Sequence, residues 1–140
     1  MGKVLANKPF QTSDTLNYIS DMVVDGSGSI ILFGTFETFL DADPGPGTYN
    51  LSSQDAEVYL LKLNSAGIFE WVKQIGNPNN YLESNSIKLD GFGNIYLSGF
   101  FIEELILIPD GIFSRISKRL GTIVYFEIKS QRRIYLGTAN

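Results

Sequence analysis

The chain contains no cysteine and no histidine. Without cysteine there is no disulfide framework and no thiolate nucleophile. Without histidine there is no imidazole base, so Ser-His-Asp and Cys-His arrangements are excluded, as are Cys/His zinc sites. Charged residues are sparse at 19%, against a usual share of about 25%. No window approaches the ~18 consecutive apolar residues of a membrane span. The N-terminal MGKVLANKPFQ has no apolar core of the signal-peptide kind, and Ala6 breaks the myristoylation pattern. No stretch sustains an apolar period of 3.6 residues, so almost no helix is expected.

What is present is a hydrophobic fraction of 44% and an aromatic fraction of 13% over 140 residues. That composition argues for one packed domain and against disorder. The net charge of -4 is unevenly spread. Residues 1–114 hold five lysines against fourteen acids, a balance of −9, and residues 115–140 hold six basic residues against Glu127, a balance of +5. The basic segment reads as a solvated strand edge, because Lys and Arg blunt exposed edges. An acidic chain of this kind is not expected to bind nucleic acid.

The chain repeats itself. Ser20 to Glu37 aligns with Asn85 to Ile102 at a shift of 65 residues. Asp25, Gly26, Gly28, Ile30, Leu32, Gly34 and Phe36 meet Asp90, Gly91, Gly93, Ile95, Leu97, Gly99 and Phe101. At the same shift Glu57 to Ser65 falls on Thr122 to Ser130, and Val4 to Phe10 falls on Phe69 to Ile75. Each copy reads as four strands. These are Met22 to Asp25, Ser29 to Phe36, Val58 to Leu63 and Ile68 to Ile75, with a long Gly/Pro/Asp loop after the second. The DGSG and DGFG segments are hairpin signals. Four strands at a fixed period is the pattern of a propeller blade.

The expected fold is therefore all-β, with two four-stranded antiparallel blades of a 65-residue repeat. The first covers residues 11–75 and the second, degenerate one 76–140, with 4–10 as an extra outer strand. A propeller closes with about 4–8 blades. Two blades imply an incomplete ring, or one completed by oligomerisation, so either a homo-oligomer or a fragment of a larger propeller is expected.

Three elements carry a family resemblance. They are D-G-x-G-N-x-Y-x-x-G-x-F at Asp90 to Phe101, D-x-D-P-G at Asp41 to Gly45, and K-L-N-x-x-G-x-x-x-W-x-K-Q at Lys62 to Gln74. Together they resemble the SBBP-type β-propeller repeat of large secreted bacterial proteins. The first copy matches along its length. The second matches to about Phe101, and then its Asp-rich loop shrinks to Ile108–Gly111 and the Trp and Lys-Gln elements are absent. The resemblance implies a propeller scaffold, extracellular or at the cell surface, and little about activity. Tandem blades with no His or Cys, no cofactor fingerprint and no nucleophile elbow lead to the expectation of a non-catalytic scaffold or binding module with no cofactor. The alternative is a small lectin-like oligomer that binds glycans between blades.

Candidate ligand-binding residues are Asp41, Asp43 and Tyr49 in the long loop, and Asn77, Asn79 and Asn80 in the connector between copies. Loops on a rigid scaffold are where binding usually resides. Asp41 and Asp43 are of the type that ligates calcium, but the EF-hand spacing and its closing Glu are missing, so turn chemistry accounts for them better. No metal site is assigned. Asp25 and Asp90 read as hairpin-turn residues and not as an acid pair. Trp71 and Phe69 alternate along one strand, which places both on one face. There they are expected to form core between blades, with a sugar-stacking platform as the lesser alternative. Nothing places two carboxylates in a cleft, so no enzymatic activity is expected.

Overall fold

The structure is a computed structural model that describes residues 16–76 and 81–101, together with the strand residues 106–107, 113–114 and 126–128. The first repeat builds β1 (Tyr18–Val24), β2 (Ile30–Phe36), β3 (Phe39–Asp41), β4 (Asn50–Ser52), β5 (Glu57–Leu63) and β6 (Phe69–Ile75). The second contributes β7 (Leu82–Leu89), β8 (Ile95–Phe101), β9 (Ile106–Leu107), β10 (Phe113–Ser114) and β11 (Phe126–Ile128). Every pairing is antiparallel. No helix occurs among the described residues, and so none there is long and apolar enough to cross a membrane.

The first sheet has four strands in the order β1-β2-β5-β6. Its inner strands are nearly continuous apolar runs, IILFGTF and EVYLLKL, because both of their faces are covered. The outer strands β1 and β6 are only partly buried. The second sheet runs β11-β8-β7 among the described residues. Positions 134–140, the sequence counterpart of β6, lie outside them, as do Val4–Phe10 and Ile108–Gly111. The two sheets do not close a ring among the described residues.

The 65-residue shift holds residue by residue in the pairing. Val24↔Ile30 and Met22↔Leu32 return as Leu89↔Ile95 and Ile87↔Leu97. Ile30↔Leu63 and Leu32↔Leu61 return as Ile95↔Ile128 and Leu97↔Phe126. A bulge between Ile19 and Asp21 returns between Ser84 and Ser86. The shared Gly34 and Gly99 stand opposite these bulges. A Cβ on Gly34 would lie 2.5 Å from the carbonyl oxygen of Tyr18, and one on Gly99 would collide with that of Glu83. A bulge drives the partner backbone inward, and only glycine leaves room for it.

Three features depart from the sequence expectation. The first strand starts at Tyr18, four residues before Met22, because the bulge carries the ladder past the polar Ser20-Asp21 pair. The long loop is not all loop, since β3 and β4 form a hairpin within it, pairing Phe39↔Ser52 and Asp41↔Asn50. Phe69 and Trp71 lie on opposite faces. A bulge places Lys62 opposite Trp71 and Leu63 opposite Phe69, so Glu70 is the extra residue and the alternation flips there.

Two apolar clusters result. One joins Ile31, Phe33, Val58, Leu60 and Ile75 of the first sheet to Leu82, Ile87, Ile95 and Leu97 of the second, with Trp71 packed against it. The other lies on the opposite face of the first sheet, where Leu40, Ala42 and Leu51 of the hairpin cover Phe36, Tyr59 and Leu61, with Phe69 packed alongside. Trp71 thus serves the core between sheets, as expected, and Phe69 serves the hairpin cover.

Candidate functional site

Three turns share one construction. Asp25 Oδ1 accepts the N–H groups of Ser27 (2.9 Å) and Ser29 (3.0 Å). Asp90 Oδ1 accepts those of Phe92 and Asn94, each at 2.9 Å. Asn64 Oδ1 accepts those of Ala66 (2.9 Å) and Ile68 (3.0 Å). The glycine three residues after each, Gly28, Gly93 or Gly67, has a φ of 82°, 80° or 77°. This is a three-residue hairpin loop in which the third loop residue takes the left-handed conformation. The Asp-Gly pair is thus not the pivot, and the later glycine is.

Asp25 also lies 3.3 Å from Lys62 Nζ, which reaches Glu70 at 3.4 Å. The Ser27 hydroxyl and the further donors hold the Asp25 carboxyl down to about 2. Asp90 instead accepts from the Asn94 amide (2.6 Å) and the Tyr96 hydroxyl (3.1 Å). Some desolvation opposes these bonds, but its carboxyl is lowered as well. Both residues are turn anchors.

The long loop brings Asp41, Asp43 and Tyr49 together. Asp41 closes β3 and is only 3% exposed. Its Oδ1 accepts the N–H groups of Asp43 (3.1 Å) and Tyr49 (2.9 Å), and Asp43 Oδ1 accepts that of Gly45 (2.7 Å). The Ala42 N–H reaches the Tyr49 carbonyl at 2.8 Å and closes the loop's neck. The two carboxylates therefore act on loop backbone, as turn chemistry requires. Tyr49, 47% exposed, stacks on Phe69 with ring centroids 5.2 Å apart and planes at 29°. The result is a backbone-anchored loop whose neck carries a half-exposed aromatic ring. Among the described residues no three acidic groups cluster as a metal site would need. Asn77, Asn79 and Asn80 lie outside the described residues.

Two carboxylates were not singled out from the sequence. Buried Glu57 receives the Gln74 amide at 2.5 Å, and the same amide reaches the Ser52 carbonyl at 2.9 Å. Gln74 of the Lys-Gln element thereby ties β6 to both β4 and β5. Asp21 is the other. Its Oδ1 accepts its neighbour Met22 N–H at 2.9 Å. Its Oδ2 crosses to the second sheet and accepts the Ile87 N–H (3.0 Å) and the Ser86 hydroxyl (2.9 Å). The Ile87 N–H is the foremost cause of its lowered pKa. Beside it, Thr35 Oγ1 accepts the Ser84 N–H at 2.8 Å and contacts its hydroxyl, which also touches that of Ser20. One bulge thus clasps the next. The only advance signal was that polar residues stand there in both copies.

At the same junction the Tyr81 hydroxyl donates to Glu83. That bond first, and then desolvation and the nearby Glu83, Tyr18 and Glu37, push the Tyr81 phenol up to about 12. Tyr81 and Glu83 are therefore paired beside the joint between the sheets.

Two antiparallel sheets repeat at a spacing of 65 residues, with one face of the first packed on the opposite face of the second, an arrangement like that of successive propeller blades. Residues 70–99, from β6 through most of β8, match the SBBP family, a beta-propeller repeat. No curated protein and no solved structure matches the chain.

Proposed function

We propose that the chain is a non-catalytic propeller scaffold that presents loops for binding, acting outside the cell or at its surface. The observation that carries this reading is the use of its carboxylates. Asp21, Asp25, Asp41, Asp43 and Asp90 all hold backbone N–H groups, which leaves them as structural anchors and not as a poised acid and base. Binding is assigned to the Asp41–Tyr49 loop and to the Asn77, Asn79 and Asn80 connector. Extracellular placement rests on the repeat family alone. The test is a screen of immobilised glycans and secreted proteins against the full chain and its Tyr49→Ala variant. The expected result is binding that falls at least ten-fold in the variant. Turnover of chromogenic glycosides or esters that disappears with Glu57→Gln would overturn the reading.

A second reading is a lectin that binds glycans between blades. The hydrogen-bonded Tyr81 and Glu83 beside the sheet junction supply an aromatic face and a carboxylate acceptor, and those two group types together suit sugars. Binding lost in Tyr81→Ala and kept in Tyr49→Ala would favour it.

A further inference from the structure

We draw no further inference here: the strongest candidate, the surface patch at the neck of the long loop where half-exposed Tyr49 stacks on Phe69 next to exposed Ile68, belongs to the binding loop already described, and nothing in the structure shows what covers it.

Discussion

Single residues settle where this backbone is able to go. Gly34 faces the carbonyl of Tyr18 across the first bulge, and Gly26 has open space around its Cβ position. Gly34→Ala is therefore expected to cost roughly 2 kcal/mol or more, the scale of overpacking. Gly26→Ala should stay within about 0.5 kcal/mol. Urea denaturation of both variants checks the contrast, and equal effects would contradict the bulge geometry. Thr38 is the only non-glycine residue with positive φ among the described residues, at 66°. A β-branched side chain is strained there, and Asn tolerates that conformation better. Thr38→Asn is expected to raise stability by roughly 0.5–1 kcal/mol, read as a higher urea midpoint with an unchanged slope. The glycines were legible in the sequence as a matched set, but their separate duties were not. Gly28 and Gly93 pivot turns, and Gly34 and Gly99 admit a bulge, which depends on the neighbouring strand.

At the scale of elements, the strands with unbroken apolar runs were legible and the interrupted ones were not. IILFGTF and EVYLLKL announce inner strands. The three-residue strands β3 and β4 carry too little pattern beside an Asp/Pro/Gly loop, and they form because Leu40, Ala42 and Leu51 have Phe36 and Tyr59 to cover. Strict alternation failed at Glu70, where one extra residue exchanges the faces of Phe69 and Trp71. Leu40 is almost wholly buried in the hairpin cover. Leu40→Ala is expected to cost roughly 2–5 kcal/mol while leaving Trp71 emission of the folded protein unchanged, because Trp71 packs in the other cluster. An emission shift equal to that of Ile87→Ala would contradict the separation of the two cores.

For the whole molecule, the joint between the sheets combines the apolar core with the Asp21 clasp. The 65-residue repeat made the stacking legible, because it placed like sheets in succession. The clasp was not legible, since Asp21 meets Ile87 only through tertiary packing, and its counterpart in the second copy is Ser86. The folded state holds the Asp21 carboxyl below its ordinary value of 3.8. Such a group adds stability that is complete above the unfolded value and is lost as pH falls through the folded one. Asp25 behaves likewise between 3.8 and about 2. Stability is thus expected to decline as pH drops below about 4. Asp21→Asn should flatten part of that decline and lower stability at neutral pH, measured by thermal unfolding across pH 2–7. An unaltered profile would remove the carboxylate from the joint.

The stacking itself has a direct test, because the chain has no cysteine of its own. The Ser20 and Ser84 hydroxyls touch across the joint. A double variant with Ser20→Cys and Ser84→Cys, oxidised at low protein concentration, is predicted to close an intramolecular disulfide. It should migrate faster on a non-reducing gel and unfold at a higher temperature than its reduced form. Thiols that stay free, or that link only different chains, would mean that the two sheets do not pack as described.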